Sequence, residues 1–216
     1  MAEMTPDTWD FINNYSREVF GAEDDHLAGL MEEATAAGLP PIAVGPDVGR
    51  LLMILTSMTG GRLAIEVGTL AGYSGIWITR GLALEGRLIT VEHESRHADF
   101  AQRQFERAGV ADRVELRRGS GMDVLTELSE SLEPGSVDVL FLDAQKAEYV
   151  GYFETARALL AVGGLVIADN VYGIGIGWID EGYGTDEFNR HIAADPDFEA
   201  VAFPFREGVL IARRVK

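Results

Sequence analysis

The chain has 216 residues, 47% hydrophobic and 25% charged, with 35 acidic against 18 basic side chains and a formal net charge of −17. That composition fits one globular domain with its own core, and its acidity argues against a broad nucleic-acid surface, which draws affinity from Lys and Arg on phosphates. With no cysteine in the chain, disulfides, thiolate catalysis and cysteine-bound zinc are excluded. The opening MAEMTPDTWDFINN lacks the basic flank and apolar core of a secretory signal. No apolar run reaches the roughly 18 residues of a membrane helix. A soluble, cytoplasmic protein without membrane contact is expected.

In chain order, three helical segments come first, near Thr8–Phe20, Asp24–Ala37 and Pro46–Met58. Asp24 or Asp25 suits a cap for the second, and Pro46 suits the first turn of the third. The stiff stretch Gly38–Pro46 between them is either a linker or a loop closing over a ligand. Then β-branched apolar runs alternate with amphipathic stretches, the pattern of βαβ units on a parallel sheet. Strands are predicted at Arg62–Val67, Arg87–Glu92, Val114–Arg117, Val137–Leu142 and Gly164–Ala168. Helices are predicted between them at Tyr73–Arg80, Ser95–Ala108, Met122–Ser129 and Glu148–Leu160. After a glycine-rich loop, a helix around Thr185–Ala194 precedes two short strands, Phe198–Phe203 and Gly208–Arg213, whose spacing suggests an antiparallel hairpin at the sheet edge. The expectation is one α/β domain over residues 1–216, with residues 1–60 as a helical cap.

Four motifs sit at predicted strand ends. IEVGTLAGYSG (65–75) places glycines at 68, 72 and 75, a spacing unlike the GxGxxG of dinucleotide sites. Gly68 permits a sharp turn off the strand and Gly72 permits close backbone approach to a ligand; a plain βα turn would need the same glycines. Glu66, just before the turn, suits a cationic ligand better than a pyrophosphate. Glu92 ends the next strand, close to the roughly 20-residue spacing at which a carboxylate accepts ribose hydroxyls. FLDAQK and IADN bring Asp143, Asp169 and Asn170 to neighbouring strand ends. Two carboxylates and an amide oxygen are a hard donor set, suited to magnesium, manganese or calcium rather than zinc. A cation there also relieves the repulsion between the two carboxylates.

These motifs, in this order and spacing, resemble the small class I O-methyltransferases related to caffeoyl-CoA and catechol O-methyltransferases. PPIAVGPDVGRLL and EGVLIARR extend the resemblance over nearly the whole chain. It implies a Rossmann-like fold with a mostly parallel seven-stranded sheet, an antiparallel C-terminal strand, and helices on both faces. It implies methyl transfer from S-adenosylmethionine to the hydroxyl of a small acceptor, catechol-like or phenolic, assisted by a divalent metal. Rival acceptors are hydroxyuridine in transfer RNA and a carrier-bound hydroxyacyl intermediate of natural-product synthesis.

Carried over by position, the cofactor would be held by Val44, Glu66, Gly68, Thr69, Gly72, Ser74, Glu92, Gly119, Ser120, Gly121 and Asp143. The metal would sit on Asp143, Asp169 and Asn170. Lys146, three residues after Asp143, would be the general base. A homodimer through the N-terminal helices is also implied. Gln145 and the pair Ala43–Val44 depart from residues common in relatives, and the Gly173–Tyr183 segment is shorter than the substrate insert of plant enzymes. Tyr172, Trp178 and Tyr183 would either wall a planar acceptor or pack against a neighbouring subunit.

Overall fold

The computed structural model describes residues 5–173, 179 and 184–216. Three helices, α1 (Pro6–Phe20), α2 (Asp25–Ala36) and α3 (Pro46–Met58), precede the alternating series β1 (Leu63–Val67), α4 (Tyr73–Gly81), β2 (Arg87–Glu92), α5 (Ser95–Arg107), β3 (Val114–Arg118), α6 (Gly121–Ser131), β4 (Val137–Leu142), α7 (Tyr149–Ala156) and β5 (Leu160–Asp169). The chain closes with α8 (Thr185–Ala194), β6 (Phe198–Phe203) and β7 (Val209–Arg214). The seven strands lie in the order β3-β2-β1-β4-β5-β7-β6. β7 inserts between β5 and β6, antiparallel to both, while the other pairs run parallel.

Strict alternation along the strands builds two cores. Ile65, Val67, Ile89, Val91, Leu140 and Leu142 face a layer that includes α6, α7 and α8. Ala64, Leu88, Val139, Phe141 and Ile167 face the other, with α2, α3, α4 and α5. Burial on both faces explains why these strands read as unbroken apolar runs. Helix starts follow capping chemistry: Asp24 Oδ1 accepts the Leu27 N–H at 2.9 Å at the head of α2, and Pro46 occupies the first turn of α3. No helix among the described residues is long and apolar enough to cross a membrane.

Most boundaries lie within two residues of the sequence expectation, and the largest difference falls between α7 and β5. The helix predicted over Glu148–Leu160 ends at Ala156, and after a 3-10 turn (Arg157–Leu159) β5 begins four residues earlier than predicted. Leu160 pairs with Val137, the β4–β5 register shifts after that pair, and Gly163 adopts φ +89. A glycine-supported irregularity of this kind absorbs extra residues within a strand, so the local glycines hid the strand start.

The topology fixes where a site can form. β1 and β4 are neighbours, but the chain leaves them toward opposite halves of the sheet, which opens a crevice beyond their carboxyl ends. Backbone bonds align those ends: Gly68 N–H donates to Val91 O at 3.0 Å, Asp143 N–H to Val67 O at 3.0 Å, and Gly119 N–H to Glu92 O at 3.0 Å.

Candidate active site

A cavity of about 680 Å³ opens at these strand ends. Of the residues expected to hold a cofactor, it is lined by Val44, Gly68, Thr69, Ser74, Glu92, Gly119, Ser120, Gly121 and Asp143, together with Lys146 and Asn170. Glu66, Gly72 and Asp169 lie behind its wall. Pro40 to Val44 of the connector form part of the lining.

At one end stands Glu92, 5% exposed at the tip of β2. Its Oε2 accepts the Leu70 N–H at 2.8 Å and its Oε1 accepts the Glu94 N–H at 2.9 Å. Leu70 sits at φ +48, a conformation that L-residues avoid, so the carboxylate holds a strained loop in place while keeping acceptor capacity toward the cavity. Gly68 adopts φ +103, and a Cβ there would overlap the carbonyl oxygen of Asp143; only glycine lets the β1 and β4 ends close together. Beside them, a Cβ on Gly121 would press on Tyr152 and Val67. The Ser120 hydroxyl caps α6, accepting from Asp123 N–H at 3.1 Å. Sequence reasoning missed His93, His97, Glu148 and Tyr152, which also line this end. The i, i+4 spacing of Glu148 and Tyr152 was the available signal; the Tyr152 hydroxyl donates to Glu148 Oε2 at 2.5 Å.

Glu66 is fully buried under the glycine loop. Ser74 donates to its Oε1 and Thr90 to its Oε2, each at 2.6 Å, and Thr69 bonds Thr90 at 2.6 Å. Burial, which outweighs these bonds, pushes its carboxyl up from 4.5 to about 7. The folded state therefore binds a proton that the unfolded chain releases, and this contribution to stability is lost as pH rises from about 4.5 through about 7. Asp169 acts in the same direction. Glu66→Gln is expected to recover up to about 3 kcal/mol at pH 8 and little at pH 4.5, as measured by denaturant unfolding. An unchanged pH slope would show that Glu66 is ionised throughout.

At the other end, Lys146 Nζ donates to Asp143 Oδ1 at 2.8 Å and to the Tyr149 hydroxyl at 2.7 Å. That hydroxyl, fully buried, bonds the carbonyls of Leu142 at 3.0 Å and Asp169 at 3.1 Å, tying together the ends of β4 and β5. Burial keeps the phenol protonated by raising it well above its ordinary value. Asp169 is 1% exposed, and its Oδ1 has no hydrogen-bond partner among the described residues. Burial first, then the charge of Asp143, raise its carboxyl to about 7. Asn170, at φ +61, donates to Glu207 Oε2 at 3.5 Å.

An orphaned buried carboxylate oxygen close to a second carboxylate is what a hard cation would satisfy, so Asp143, Asp169 and Asn170 fit a divalent ion. Among the described residues no group of three or more His, Cys, Asp or Glu gathers for a metal; this set is two carboxylates and an amide. Arg206 also reaches this end, its Nη1 4.0 Å from Asp169 Oδ2. Nothing in the sequence marked it. Tyr172 packs under the β6–β7 turn at Gly208 and donates to Ala202 O at 3.2 Å, outside the cavity lining. Trp178 and Tyr183 lie outside the described residues.

A model of the O-methyltransferase family matches residues 16–215. A catechol O-methyltransferase of Niastella koreensis is 39% identical over 168 residues, covering 78% of this chain and 76% of that one. Among solved structures, an O-methyltransferase from Bacillus cereus in complex with S-adenosylhomocysteine superposes with a TM-score of 0.86 at 34% identity, over 96% of this chain and 99% of that one. An O-methyltransferase involved in tomaymycin synthesis in Streptomyces achromogenes, in complex with S-adenosylmethionine, gives 0.86 at 30% identity over 99% and 100%.

Proposed function

Since the chain belongs to the O-methyltransferase family and is an S-adenosylmethionine-dependent O-methyltransferase, we propose that it methylates a small catechol-like or phenolic acceptor in the cytoplasm with the help of a divalent cation. The observation that carries this reading is one cavity with two chemically distinct ends. Glu92 and the Gly119–Gly121 turn form an end suited to adenosine, and Asp143, Lys146 and Asn170 form an end suited to a hydroxyl. The catechol O-methyltransferase relative supports the acceptor class, and the excess of acidic residues counts against transfer RNA.

The residues divide the work as follows. Glu92 accepts the ribose hydroxyls of the donor, and the Gly68–Ser74 loop supports its methionine portion. Asp143 and Tyr149 fix the direction of Lys146 Nζ, which in its neutral form takes the proton of the acceptor hydroxyl. A divalent cation held by Asp143, Asp169 and Asn170 would lower the pKa of that hydroxyl and orient it. Most of the acceleration then comes from holding the acceptor oxygen in line with the donor methyl.

A methyl-transfer screen over catechols, flavonoids, hydroxylated nucleosides and carrier-bound hydroxyacids, each with magnesium and after chelation, tests this. Catechol turnover is expected to be lost on chelation and restored by magnesium. Full turnover after exhaustive chelation would remove the cation from the reading, and turnover confined to nucleosides would remove the acceptor class.

We also propose a homodimer. α1 buries none of its residues and exposes Phe11, Tyr15, Val19 and Phe20, while α3 exposes Ile54 and Met58; exposed apolar groups in such number mark an interface. Light scattering is expected to give twice the chain mass, and the double variant Tyr15→Asp, Phe20→Asp the single mass. A monomeric wild type would contradict this.

A further inference from the structure

Among the described residues three non-glycine residues adopt left-handed backbone, Leu70, Asn170 and Arg206, and all three line the cavity. Glu92 explains Leu70, and the hydroxyl-binding end explains Asn170. Arg206, at φ +51, has no such account. It sits in the β6–β7 connection, in a turn closed by Gly208 N–H donating to Phe205 O at 2.8 Å, where glycine or asparagine is the unstrained choice. Backbone strain retained at a cavity wall points to what the side chain delivers there.

What it delivers is a nearly unused set of donors. A guanidinium carries five N–H groups in a planar fork. Among the described residues Arg206 makes one hydrogen bond, Nη1 to Ala43 O at 3.4 Å. Its acidic neighbours stand beyond hydrogen-bond distance, Asp169 Oδ2 at 4.0 Å and Glu207 Oε2 at 3.7 Å. They orient the fork without consuming its donors. Arg206 is 19% exposed, so the fork is partly desolvated. Lys146, the other Lys or Arg of the lining, is engaged by Asp143 and Tyr149.

We propose that Arg206 is a specificity-determining residue that binds a carboxylate on the acceptor, so that the preferred substrate is a hydroxylated aryl carboxylic acid rather than a neutral catechol. The planar fork matches a carboxylate in two parallel hydrogen bonds, and its place beside Asn170 and Asp169 puts that contact at the hydroxyl-binding end. The inference rests on the methyl-transfer reading above. The competing occupant is a cationic amine drawn to Glu207, which also lines the cavity.

The test compares kcat/KM for catechol, 3,4-dihydroxybenzoate, 3,4-dihydroxycinnamate and 3,4-dihydroxyphenethylamine in wild type, Arg206→Lys and Arg206→Gly. Glycine relieves the left-handed strain, so this variant is expected to fold. Wild type is expected to favour a carboxylate acceptor over catechol, and Arg206→Gly to cut that ratio about 10- to 100-fold, mainly through KM. Arg206→Lys should keep part of the preference. Because the readout is a ratio, a general loss of rate in the variants does not imitate it. A wild-type preference for the amine or for catechol, or a ratio unchanged in Arg206→Gly, overturns the proposal and leaves the methyl-transfer reading intact. Absence of turnover with every acceptor overturns both.

Discussion

Lys146→Met is expected to lower kcat for catechol methylation by about 100- to 10,000-fold, the range for losing a positioned base. Donor affinity should stay within a few-fold, because Lys146 lies at the hydroxyl end of the cavity, opposite Glu92. Methionine replaces the stem of the side chain but not its proton acceptor. The Tyr149 hydroxyl keeps its bonds to Leu142 O and Asp169 O, so the β4 and β5 ends stay joined and the fold survives. Steady-state kinetics would separate the roles: a large rise in KM with kcat preserved would make Lys146 a binding residue.

Glu92→Ala is expected to weaken S-adenosylhomocysteine binding by at least about 100-fold by calorimetry, as two effects combine. The ribose hydroxyls lose a charged acceptor, where hydrogen bonds contribute roughly 1.5–3 kcal/mol each. The Leu70 and Glu94 N–H groups lose their partner as well, which frees the glycine loop from the strained conformation that shapes the methionine end. Unchanged affinity would place the ribose elsewhere.

Much of this site was legible in the sequence because strand ends converge by topology alone. β2, β4 and β6 have the residue bounds that their apolar runs predicted, so Glu92 and Asp143 could be assigned to one rim without coordinates. Side-chain direction was less legible. Glu66 lies one residue before the end of β1, shares strand parity with Ala64 and points beneath the loop toward α4. Asp169 is buried and outside the lining, while Asn170, one residue on and left-handed, lines the cavity. Arg206 left no sequence signal because its importance comes from backbone strain and from Asp169 and Ala43, residues remote in the chain. Glu92 announced itself by ending a strand and Asn170 by directly following one; Arg206 only by folding.

The most direct measurement is a crystal structure with S-adenosylhomocysteine and a dihydroxybenzoate bound together. The ribose is expected on Glu92, the adenine against Gly119–Gly121, and an acceptor hydroxyl beside Lys146 Nζ, aimed at the sulfur. A nucleoside lying outside the β1–β4 crevice, or an acceptor hydroxyl remote from Lys146, would contradict the assignment of one cavity to both reactants.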